Sequence, residues 1–101
     1  MKIEFSGREI EIMQTALDQW GLGAQIGQAV EECAELIVAL QKYVNRTPQA
    51  GNAERVLDEI ADVEMMLAQI RLALNISDEA LRKQMEYKFD RLNKYLAADT
   101  V

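Results

Sequence analysis

The sequence predicts an all-α protein, a four-helix bundle that assembles as an oligomer, and three observations carry that expectation. Half of its 101 residues are hydrophobic and only one is proline; alanine, leucine, glutamate, glutamine and methionine, which lose little on entering a helix, dominate. Apolar residues recur at three- and four-residue spacing in four stretches parted by glycine, proline, asparagine or serine. The third stretch is apolar almost all round, more than three neighbouring helices of so short a chain can cover, so further copies are expected to cover it. The length fits one domain over residues 1–101.

The first helix is expected over 7–20, after a short extended lead-in. Ser6 with Glu9 three residues on makes a capping box, and Phe5 can staple onto Ile10. Ile10, Met13, Leu17 and Trp20 follow at helical spacing, and Gly21-Leu22-Gly23 breaks the run. The second helix is expected from about 24 to 45, its apolar stripe formed by Ile26, Ala29, Val30, Cys33, Ile37, Leu40 and Val44, with Leu36 at the edge. Residues 45–52 hold the only proline and read as the longest and most mobile loop. The third helix runs from near Asn52 to about Leu74. Asn75 ends it, and Ser77 caps a fourth whose seam is Leu81, Met85, Phe89, Leu92 and Leu96, with Ile76 stapled onto Leu81. The tail from Ala97 is expected to fray.

Charge and composition exclude several classes. A formal charge of −6 argues against polymeric nucleic acid as a partner, since phosphate backbones need a basic face. The single cysteine, Cys33, rules out an internal disulfide and suits a reducing cytoplasm; placed mid-stripe, it reads as a buried, inert thiol. No apolar run approaches membrane-spanning length, and the first residues do not resemble a signal peptide. With no histidine, a metal site would be built from oxygen ligands, which favours Mg²⁺ or Mn²⁺ over zinc.

Two acidic motifs stand out. Glu31-Glu32-Cys33-Ala34-Glu35 sets three carboxylates in an otherwise apolar stretch, and Glu59-Ile60-Ala61-Asp62 sets two more inside the third helix. At roughly 100° per residue, Glu32 and Glu35 lie about 60° apart, as do Glu59 and Asp62. Gln28 falls between the first pair and Gln25 beside Glu32, on a polar strip separate from the Ile26/Cys33/Leu40 stripe. Glu59 flanks Val56, Ile60, Val63 and Leu67 and is expected to face the interior. Acids in such places cost free energy unless something cationic meets them. Arg55, four residues before Glu59, is one candidate, and either motif alone resembles an ordinary solvated helix face. Together, on antiparallel helices, the two pairs converge as a cation site would require.

In order and spacing, Glu-Glu-x-x-Glu followed after twenty-odd residues by Glu-x-x-Asp resembles the MazG-type family of all-α nucleoside triphosphate pyrophosphohydrolases. Dimeric dUTPases, dCTP pyrophosphatases and phosphoribosyl-ATP pyrophosphatase are its relatives. Trp20-Gly21 with Gln25 and Gln28, and the run Glu59-Ile60-Ala61-Asp62-Val63, extend the resemblance, which covers about residues 12–96. It implies cleavage of an NTP or dNTP between the α and β phosphates, giving the monophosphate and pyrophosphate. Carried over by position, Glu32, Glu35, Glu59 and Asp62 would be Mg²⁺ ligands, with Glu31 behind them. Such a metal brings a triphosphate and acids together and lowers the pKa of a bound water, whose proton Glu31 or Glu35 would accept.

Gln84, Lys88, Arg91 and Tyr95 run along one flank of the fourth helix's seam. Lys88 and Arg91 are thus candidates for the substrate phosphates, or snorkelling side chains that solubilise the helix. Many family members carry a Lys, Asn, Arg series here; this chain has Leu92 in place of the Asn and Tyr95 in place of the Arg. Trp20 reads as core or, by the resemblance, as a surface for a base, and Gln25 and Gln28 as base or sugar contacts or as supports for the carboxylates. The expected partners are a nucleotide substrate and further copies of the chain, as homodimer or homotetramer. Phosphoribosyl-ATP hydrolysis is the sister reading, and a non-catalytic helical interaction module the rival.

Overall fold

Ser6 opens the first helix with the expected capping box: its backbone N–H donates to Glu9 Oε1 (2.8 Å) and its Oγ accepts from the Glu9 N–H (3.1 Å). The backbone hydrogen bond from Ser6 holds the Glu9 carboxyl below its ordinary value. The computed structural model describes residues 4–45 and 51–99, and among them forms four helices and no strand. These are α1 (Gly7–Trp20), α2 (Leu22–Asn45), α3 (Asn52–Ala73) and α4 (Asp78–Asp99). Residues 1–3 of the expected lead-in and 46–50 of the expected loop lie outside the described residues.

The connections follow from backbone chemistry. Gly21 alone separates α1 from α2, at φ 86°, where a side chain would be strained, so the break is one residue rather than three. Asn75 takes the left-handed conformation after α3 (φ 54°). The Ile76 N–H donates to the Arg71 carbonyl and the Asn75 N–H to that of Leu72, the paired bonds of a Schellman motif. Ser77 Oγ then accepts from the Ala80 N–H (3.0 Å). Helix α4 continues to Asp99, past the point where fraying is expected.

Helices α2 and α3 pack along each other, running antiparallel across their short link, and α1 lies against both. Helix α4 stands apart: none of its Cα atoms comes within 8 Å of α1, α2 or α3. A compact bundle within one chain is therefore a corrected expectation. Beyond half-buried Leu81, every described residue of α4 is exposed, Phe89 by 62%. The radius of gyration, 16.8 Å, exceeds the ~13 Å of a compact chain of this length.

The helices also present unexpected faces. On α1, Met13 and Leu17 are buried, but Ile10 and Trp20 are not. On α2 the apolar stripe of Ile26, Val30, Cys33, Ile37, Leu40 and Val44 faces outward, so Cys33 is an exposed thiol rather than a buried one. The face turned to α3 carries Gln25, Ala29, Glu32, Leu36 and Ala39, with Glu35 beside it. On α3 it carries Glu59, Asp62, Met66 and Gln69, while Ile60, Met65 and Leu67 are exposed. The packed α2 and α3 faces thus mix polar residues with Ala29, Ala39 and Met66, while most of the α2 apolar stripe lies outside. Among the described residues no helix is long and apolar enough to cross a membrane.

Candidate metal centre

The α2–α3 interface brings Glu32, Glu59 and Asp62 together. One carboxylate oxygen from each lies within 4.8 Å of the other two, a grouping able to hold a metal ion. Helical geometry sets this up. Glu59 and Asp62 stand three residues apart on one face of α3, and Glu32 faces them from α2. Glu59 is 4% exposed, so the inward orientation expected from its apolar flanks holds.

The cluster is short of positive charge and of hydrogen bonds. Gln28 Nε2 donates to Glu32 Oε1 at 2.9 Å. The rival pairing of Arg55 with Glu59 is present but loose: Nε stands 3.6 Å from Oε1, against roughly 2.7–2.9 Å for a close charge-assisted bond. Arg55 itself is largely solvated, its side chain 58% exposed. Neither guanidinium nor amide reaches Glu32 Oε2 or Glu59 Oε2, both enclosed without a partner. Native structures rarely leave such atoms unmet without reason.

Electrostatics follow from this enclosure. Burial pushes the Glu59 carboxyl above its ordinary range, and the charges of Glu35, Asp62 and Glu32 push the same way against Arg55. Burial likewise raises Glu32, with Glu35 and Asp62 adding to it and the Gln28 bond opposing. The grouping is one that could hold a cation.

A hard divalent ion fits the donor set. All three donors are carboxylate oxygens. Around an octahedral Mg²⁺ adjacent oxygens stand about 3.0 Å apart and opposite ones about 4.2 Å, so side-chain rotation would have to draw in a spacing that reaches up to 4.8 Å here.

The structure assembles part of the expected site. Glu35, half-buried, acts electrostatically on both Glu32 and Glu59 but lies outside the three-oxygen cluster; Glu31 is exposed. Gln25 is buried on the same strip, whereas Gln28 is exposed and engaged with Glu32. Trp20 is 61% exposed and so lies outside the core of the single chain. Lys88 and Arg91 are not brought to the acids, because α4 stands away; Lys88 Nζ sits 5.8 Å from the centre of the Tyr87 ring instead. One buried polar residue escaped sequence reasoning: Gln69, seven residues after Asp62 and so on the same face of α3. A glutamine amid the apolar run from Ile60 to Leu74 was the available signal.

Compared with models of known protein families, with curated proteins and with solved structures, the chain matches none of them.

Proposed function

We propose that this chain is a Mg²⁺-dependent nucleoside triphosphate pyrophosphohydrolase, with Mn²⁺ an alternative ion. One observation carries the reading: Glu59 Oε2 and Glu32 Oε2 are enclosed without a hydrogen-bond partner, and only the loose Arg55 pair sets positive charge against the cluster. A resident divalent cation removes that penalty, and a cation held by oxygen ligands in a cleft is the usual means of seating polyphosphate. The spacing of the acids, and the resemblance of their motifs to MazG-type enzymes, direct the reading to the α–β phosphoanhydride.

Glu32, Glu59 and Asp62 hold the metal in this proposal, and Glu35 completes the set or accepts the proton of the attacking water. Glu35 is preferred to Glu31 for that proton because it stands close enough to influence both Glu32 and Glu59. When bound, the metal supplies charge neutralisation for the phosphates and a more acidic water. Gln28 orients Glu32.

The proposal includes assembly as a homodimer or homotetramer, in which the α4 seam of Met85, Phe89, Leu92 and Leu96 packs on apolar surface of another copy. The exposed α2 stripe is the matching surface, and docking there is the route by which Lys88 and Arg91 reach the substrate phosphates. A non-catalytic interaction module draws on the same bare seam and on the Arg55–Glu59 pair.

Pyrophosphate release decides between them, measured over a panel of NTPs and dNTPs plus phosphoribosyl-ATP with Mg²⁺ or Mn²⁺. Release of pyrophosphate and monophosphate from at least one nucleotide is expected. Activity on phosphoribosyl-ATP alone selects the sister reading. Inertness throughout, or release of phosphate alone, refutes the assignment.

A further inference from the structure

An open groove of about 530 Å³ runs along α1, lined there by Ile12, Thr15, Ala16 and Trp20 together with the polar Arg8, Glu11 and Gln19, and α3 contributes Gln69. Its volume falls within the ~300–1,000 Å³ typical of small-molecule sites. Gln69 is 7% exposed, and its Oε1 is enclosed without a partner among the described residues. The amide oxygen so placed is an acceptor that no donor among the described residues meets, and the same amide carries a donor beside it. Trp20, in contrast, shows a largely bare indole to the same groove.

An aromatic face beside an unmatched amide suits a flat heteroaromatic ring that stacks and is read along its edge. Every nucleobase carries such an edge, and stacking on an aromatic side chain tolerates them all while hydrogen bonds select. Position links the groove to the acids. Seven residues carry Gln69 about 10 Å along α3 from Asp62 and only about 20° around it. That is comparable to the reach of a nucleoside from α-phosphate to base.

We infer that Gln69 is a specificity-determining residue that reads the edge of a nucleobase stacked on Trp20 in the α1–α3 groove. The inference rests on the nucleotide reading above and adds a residue to it. Gln69 reads the base through hydrogen bonds alone and takes no part in the chemistry at the acids.

The test compares the full chain with Gln69→Met, which keeps the length of the side chain and removes both polar atoms, and with Gln69→Glu, which keeps only acceptors. Steady-state pyrophosphate release across the nucleotide panel, competition by inorganic tripolyphosphate, and thermal melting are measured on each. Gln69→Met should melt no lower than the parent, because an unmatched buried amide is gone. It should lose on the order of tenfold in kcat/KM for the preferred base, through KM, and flatten the ranking of bases. Tripolyphosphate competition should not change, since it engages the phosphate end alone. Gln69→Glu should reorder the bases rather than flatten them. An unchanged ranking in an active Gln69→Met variant overturns the inference and leaves the pyrophosphohydrolase reading standing. A uniform loss that also weakens tripolyphosphate competition overturns it as well, by assigning Gln69 a structural role. Inertness of the unsubstituted chain towards every nucleotide removes both readings together.

Discussion

Replacing Glu59 by Gln separates a metal centre from a buried acid that merely tolerates its position. Unfolding a domain gains about 2.1 cal/mol/K per residue, so this 101-residue chain melts with an entropy of about 0.2 kcal/mol/K. A ligand at a hundred times its Kd stabilises the folded state by about 2.7 kcal/mol. The quotient is a rise of about 13 °C in Tm when the site is saturated to that degree with Mg²⁺ or Mn²⁺. Glu59→Gln removes one of three charged donors and leaves an amide that binds hard cations weakly, so most of the rise should vanish. Without metal the variant should melt higher than the parent at pH 7, because burial and three neighbouring acids oppose the Glu59 charge. The assay is differential scanning calorimetry at one protein concentration, with and without metal, for both proteins. An equal metal-induced rise in parent and variant, or none in the parent at millimolar metal, refutes the site.

Three other outcomes follow from the same structure. Glu32 and Glu59 titrate above their ordinary value of 4.5, so the folded chain takes up protons more readily than the unfolded one. Their contribution to the metal-free protein should therefore improve as pH falls from the raised values towards 4.5, and metal affinity should weaken over the same window; denaturant titration against pH, repeated on Glu59→Gln, checks the sign. The double substitution Phe89→Asp with Leu92→Asp should dissociate the proposed homo-oligomer without unfolding α1–α3, since no α4 Cα atom comes within 8 Å of those helices; sedimentation velocity and circular dichroism report this, and an unchanged sedimentation coefficient counts against α4 as the interface. Ser6→Ala removes the α1 cap, which is worth about 1 kcal/mol, and should lower Tm by about 5 °C while metal binding persists.

Much of the chain was legible as sequence because local rules act over a few residues. The capping box at Ser6 and Glu9 set the start of α1, the left-handed Asn75 and the Ser77 cap set the junction of α3 and α4, and the bounds of both match. The meeting of Glu32, Glu59 and Asp62 was legible for a related reason: two i, i+3 acidic spacings define two lines, and a helical hairpin lets them cross.

Which face of each helix turns inward was not legible in that way. Periodicity places Ile26, Val30, Cys33 and Ile37 on one side of α2 and Gln25, Glu32 and Glu35 on another, and burial of the apolar side is the ordinary outcome. The protomer takes the other. That choice depends on how whole helices dock, which a helical period does not encode; in the function proposed, further copies cover the bare stripes and a cation offsets the acids. The sequence by itself determined four helices, their caps and the acidic spacings, since each arises from neighbours within about a turn. Only the tertiary structure decided that α4 stands apart, that Cys33 and Trp20 face outward, and that Gln69 joins the buried strip, because these follow from how whole helices dock.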